Sequence, residues 1–84
     1  MNTTDDRIAE TLLDLARSRD ADSSFCPSEA ARALNPDDWR PLLDRVRMVA
    51  SRLQRDGLIS VTQSGKAVDA LSAKGPIRLS RPLH

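Results

Sequence analysis

The sequence predicts a mainly α fold with a small β-hairpin, a winged helix-turn-helix of three helices plus a wing. Three observations predict it. A one-sided helical run from about Asp38 to Asp56 stops at Gly57 and gives way to LISVTQSGKAVDALSAKGPIRLS, a strand–loop–strand pattern. Two shorter apolar-striped segments precede that run, separated by polar and turn-forming residues. The charge also changes sign along the chain. Residues 1–38 hold four arginines against nine acids, net −5, whereas residues 39–84 hold nine Lys/Arg against Asp44, Asp56 and Asp69, net +6. The overall charge of +1 hides this dipole, and its basic half is the long helix with the hairpin. A basic helix followed by a basic β-loop is the layout of a winged helix that meets a polyanion.

The first helix is expected over about residues 4–18. Thr3-x-x-Asp6 resembles a capping box, Thr4 is the other candidate for the cap, and Asp5 and Asp6 suit the positive end of the helix dipole. Ile8, Leu12, Leu15 and Ala16 recur at i, i+4, i+7 and i+8, and Leu13 widens that stripe. Ser18 to Ser24 is polar without a period and reads as a loop, after which Phe25 marks a short extended piece that can add a third strand. The second helix is expected over 27–34. Pro27 is tolerated in a first turn, Ser28 can cap, and Ala30, Ala31, Ala33 and Leu34 leave room for another helix to approach. Asn35-Pro36-Asp37 closes it as a turn.

The third helix can start at Asn35 or at Asp37–Asp38. The earlier start places Pro41 inside the helix, at a cost of about 3 kcal/mol. The later start leaves Pro41 in the first turn, where no hydrogen bond is owed, so the helix is expected over 38–56. Trp39, Leu42, Leu43, Val46, Val49, Ala50 and Leu53 then fall within roughly 120° of arc, a core stripe. Trp39 is expected to be buried between the first and third helices, against Leu12 or Leu34. The wing is expected as a hairpin at 58–63 and 76–80, with Ile59, Val61, Ile77 and Leu79 on one face. A lone hairpin is marginal in water, so that face must lie on the helices. Gly57, Ser64-Gly65 and Gly75-Pro76 punctuate this half, and residues 81–84 read as a frayed tail of a single domain spanning 1–84.

Size and composition exclude much. Eighty-four residues with eighteen Leu, Ile and Val make one small core. No apolar run approaches the roughly 20 residues of a membrane span, and the polar, acidic N-terminus is not a signal peptide. Cys26, the sole cysteine, can form neither an internal disulfide nor a cysteine metal site, which fits a reducing cytoplasm. Its expected role is a small, half-buried side chain ahead of a helix. The one histidine, His84, is C-terminal, so no Ser/His or Cys/His pair has a placed base. Paired acids at 5–6 and 37–38 are expected to serve helix starts. With no glycine-rich phosphate loop either, the sequence points away from an enzyme, a cofactor, a metal or a small-molecule substrate.

What it offers instead is a basic surface. Opposite the apolar stripe, the third helix shows Arg40, Asp44, Arg47, Ser51 and Arg55, with Arg45 and Arg52 on the other flank beside Met48. The second helix of a helix-turn-helix pair lies in the major groove, so Arg40, Arg47 and Ser51 are the expected groove-facing set. Arginine suits guanine edges and phosphates through its planar donor fork. Lys66, Lys74 and Arg78 in the wing are expected phosphate contacts. The scarcity of aromatic residues disfavours single-strand binding by stacking.

The motifs CPSEAARAL, DDWRPL, RVRMVASRLQRDGLISVTQSGKAVD and GPIRLS together resemble a small, widespread bacterial family of unknown function with a winged-helix fold. The resemblance covers about residues 7–79, including Cys26, Pro27, Ser28, Glu29, Trp39, Arg47, Leu53, Gly57, Gly65 and the Gly75-Pro76-Ile77-Arg78 run. It implies a fold and no activity, and it allows Arg47 and Arg78 to serve internal contacts.

Two functions follow as expectations. One is a double-stranded DNA-binding module of a transcriptional regulator. The alternative is a winged-helix domain for protein contact, in which the acidic N-terminal half meets a basic partner or a second copy.

Overall fold

The computed structural model describes residues 4–19 and 23–82. Helix α1 spans Asp5–Ser18, α2 Pro27–Leu34 and α3 Leu43–Arg55, with a 3-10 turn at Arg40–Leu42 ahead of α3. Strands β1 (Ser60–Gln63), β2 (Lys66–Ala67) and β3 (Arg78–Ser80) form an antiparallel sheet in the order β2-β1-β3. Three helices and a small sheet make the winged-helix-like arrangement that the sequence predicts.

Thr4 caps α1 by accepting from the Arg7 amide at 3.2 Å, and Asp5 and Asp6 occupy the first turn. The alternative cap, Thr3, lies outside the described residues. Helix α2 matches its expected span, but Cys26 rather than Ser28 sits at its N-cap. The Glu29 carboxylate reaches back to accept the Cys26 amide at 3.0 Å, the arm of a capping box that an acid three residues into the helix provides. At the other end, the Asn35 side chain accepts from the Asp38 amide, tying the turn that separates α2 from the 3-10 segment.

The start of α3 departs from expectation. Trp39 to Leu42 wind as a 3-10 turn, and regular α-helix begins only at Leu43. Pro41 therefore sits in the tighter turn, where its missing N–H costs nothing, and Asp37 and Asp38 cap no helix. At the far end, Leu58 donates to the Leu53 carbonyl and Gly57 to that of Gln54. That pair of bonds needs a left-handed residue, which Gly57 supplies at φ +75°.

The core gathers Ile8, Leu12 and Ala16 of α1, Phe25 of the extended segment before α2, Ala30 and Ala31 of α2, and Val46, Val49, Ala50 and Leu53 of α3. Ile59, Val61, Ile77 and Leu79 close it from the sheet side. The expected stripe positions Leu13, Leu15, Leu34, Leu42 and Leu43 pack around it half-buried, while Ala33 is exposed. Trp39 corrects an expectation, because it is half-buried at the margin. The 3-10 turn swings it outward, and the guanidinium groups of Arg32 and Arg40 lie 4.6 and 5.3 Å from its ring centroid. Phe25 takes the central place and is wholly buried.

The wing is richer than a hairpin. β1 pairs with β3 as expected, and Phe25 exchanges both backbone hydrogen bonds with Leu79, at 2.8 and 2.7 Å, as the anticipated extra strand. On the other side of β1, the Ser64-Gly65 turn folds back into β2, with both residues at positive φ (53° and 81°). Two left-handed residues match the twist of the strands they join. Nor is residue 81 frayed, since the Arg81 guanidinium donates to the Ala16 and Arg17 carbonyls at the C-terminus of α1. A cation there satisfies carbonyls that the helix leaves open. Residues 83–84, with His84, lie outside the described residues.

Candidate functional site

Five side-chain positions decide which face of α3 is presented. Arg47, Ser51 and Gln54 share one flank of the helix, and the connection from Val68 to Pro76 lies across it. Arg47 donates to the Ala73 carbonyl at 2.9 Å and also to the Gly75 carbonyl. Gln54 donates to the Val68 carbonyl and accepts from the Ala70 amide. Ser51, only 1% exposed, donates to Asp69 at 2.7 Å. From the strand side, the Gln63 amide donates to the carbonyls of Lys74 and Pro76. Backbone groups of an irregular segment must find partners once packed against protein, and polar side chains of α3 and β1 supply them here.

Asp69 organises the middle of this connection. The Ser72 hydroxyl and then that of Ser51 hold its carboxyl well below the usual range, at about 2, with the Ser72 and Leu71 amides adding to the effect and burial opposing it. A group depressed in the folded state contributes stability above its unfolded pKa and loses it as pH falls through the folded value. Amide exchange in residues 68–76 is therefore expected to accelerate as pH falls from about 4 towards 2, after correction for intrinsic rates. Asp69→Asn should remove that acid-dependent component. Unchanged acid sensitivity in the variant would show that Asp69 does not govern the loop.

Against this geometry the six expected site residues divide. Arg47 is committed to loop carbonyls, and Ser51 is buried, so the expected groove-facing set keeps only Arg40. Arg78 donates to the hydroxyl and carbonyl of Ser24, joining the sheet to the segment before α2. Arg40, Lys66 and Lys74 are exposed and, among the described residues, take part in no ion pair. Lys66 pairs with Gln63 in the β1–β2 register, and Gln63 holds the Lys74 carbonyl, so both lysines lie at the Gln63 end of the wing. Arg40 lies apart from them on the 3-10 turn, its guanidinium over Trp39 beside that of Arg32.

The face of α3 left open is the other flank, carrying Asp44, Arg45, Met48, Arg52 and Arg55, all exposed. Sequence reasoning placed the open face on the wrong side of Arg47, because hydrophobic periodicity finds the core and not what covers the polar arc. Uncharged Ser51 and Gln54 beside Arg47, on an otherwise charged helix, were the available signal. Gln54, Gln63 and Asp69, which hold the connection in place, were missed.

Cys26 is half-buried, as expected, with its sulfur 2.8 Å from the Ser28 hydroxyl. Burial raises its thiol pKa, but hydrogen bonding by Ser28 and by the Glu29 backbone outweighs this and leaves it below the ordinary value. Among the described residues, no group of three or more His, Cys, Asp or Glu is placed to hold a metal ion. Nor is any helix there long and apolar enough to cross a membrane.

Residues 5–82 match a family described as a protein of unknown function, DUF3253, and the chain belongs to that family. No curated protein matches the chain.

Proposed function

We propose that this member of DUF3253 is a winged-helix module that binds double-stranded DNA, as in a transcriptional regulator, chiefly through backbone phosphates. The observation that carries the reading is the set of exposed cations in the basic half that, among the described residues, neither pair with a carboxylate nor donate a side-chain hydrogen bond: Arg40 on the 3-10 turn and Lys66 with Lys74 at the wing end. Arginine or lysine next to carboxylates is already neutralised, whereas cations left open on one half of a dipolar chain favour a polyanion. Stacking on Trp39 restrains the Arg40 guanidinium, which lowers the entropy lost when it docks. Arg47 and Arg78 support the interface indirectly, by holding the wing and the segment before α2 in place.

Duplex binding followed by fluorescence anisotropy across a salt series tests this. Each phosphate contact contributes about 0.9 to the slope of log affinity against log salt. Lys66→Glu with Lys74→Glu should weaken binding and flatten the slope by about two. The melting temperature should hardly move, because both residues are exposed and form no ion pair among the described residues. A mixed-sequence duplex that shows no binding at low salt would overturn the reading and favour protein contact through the acidic half.

A further inference from the structure

We infer that Arg45 and Arg52 form a backbone-phosphate subsite on α3, and that the Asp5 carboxylate occupies it in the free protein. The inference rests on the duplex reading and adds to it a site and an internal competitor.

Arg45 and Arg52 are seven residues apart, about 10 Å along the helix axis. Their guanidinium groups nevertheless converge on one carboxylate. Arg45 Nη2 lies 3.0 Å from Asp5 Oδ1, and Arg52 Nη1 lies 3.9 Å from Oδ2. Two cations brought together around one anion leave a local charge of +1. A phosphodiester presents the same feature as this carboxylate, two oxygens sharing one negative charge, and guanidinium donors bind both groups in the same manner.

The site is open to such a ligand. The Arg45, Arg52 and Asp5 side chains are 44%, 66% and 48% exposed, so the ion pairs are solvent-screened and weak enough to be exchanged. Met48 stands between the two arginines on the same face, half-exposed, and offers an apolar contact beside the phosphate. Asp44, the acid on this helix, is rotated roughly 80–100° from them at 100° per residue, so it does not share the subsite. Asp5 comes from the first turn of α1, a separate element, and can be removed without altering α3.

Anisotropy titrations of a mixed-sequence duplex at low salt, with wild type, Asp5→Asn and Asp6→Asn, test the inference. Asp6→Asn is the matched control. It makes the same charge change in the same first turn, and Asp6 forms no ion pair among the described residues. Asp5→Asn should tighten binding about two- to fivefold beyond Asp6→Asn, the size of releasing an exposed ion pair. In an Arg45→Gln, Arg52→Gln background that gain should vanish, because the two effects share one site. Equal effects of Asp5→Asn and Asp6→Asn, or a gain that survives the arginine substitutions, would overturn the subsite while leaving duplex binding intact. Binding by none of the proteins would overturn the duplex reading, and the subsite with it.

Discussion

Phe25→Ala is expected to destabilise the domain by about 3–5 kcal/mol, the usual cost of emptying a buried aromatic site. The side chain is 0% exposed and sits where the sheet meets the helices. Its backbone is bonded in both directions to Leu79, so the site cannot collapse by letting the segment drift inward. The Arg19 guanidinium, 5.9 Å from the ring centroid, would lose that neighbour as well. For a chain of this size each kcal/mol moves the melting temperature by about 4–8 °C, so a fall of at least about 12 °C is expected by thermal circular dichroism. Trp39→Ala should cost less, since that indole is half-buried and its arginine neighbours remain solvated. Melting of Phe25→Ala within a few degrees of wild type, or a larger loss from Trp39→Ala, would contradict the core described above.

The second large effect concerns the wing. Arg47→Met keeps the aliphatic stem but removes the donors to the Ala73 and Gly75 carbonyls. Hydrogen bonds involving a charged group are worth about 1.5–3 kcal/mol, and a loss in that range is expected in urea unfolding. Its signature should be local as well as global, with faster amide exchange across residues 68–76 while α1 and α2 retain their protection. Lys66→Met, at an exposed position with no ion pair among the described residues, should stay within about 0.5 kcal/mol of wild type. If Arg47→Met lowers duplex affinity with no change in stability or exchange, the guanidinium faces the ligand after all. A role through the wing requires both to change together.

The elements were legible for different reasons. α1 and α2 could be read almost to the residue, because caps, proline placement and a 3.6-residue stripe are local signals. The Phe25 segment was legible as a lone aromatic flanked by polar residues and proline. β2 was not identified, although a two-residue Ser64-Gly65 turn between polar extended segments is a hairpin signal in its own right. Trp39 fell on the core stripe only if α3 began before it. A 3-10 turn winds about 120° per residue rather than 100°, so three residues of it are enough to carry the indole towards the margin.

By itself, then, the sequence determined three helices, a twisted strand pair, an apolar face for each and a basic C-terminal half, because all of these rest on spacing and composition within short windows. Only the tertiary structure decided which cations remain available. Arg47, Arg78 and Arg81 bind backbone carbonyls contributed by residues 26 to 65 positions away. Arg45 and Arg52 meet Asp5 across some forty residues of chain. Arg40, Lys66 and Lys74 meet no carboxylate among the described residues. An arginine carries the same charge and the same donors in each of these settings. Its role depends on which oxygen the fold brings to it, and a contact between distant parts of the chain leaves no periodic trace in either segment.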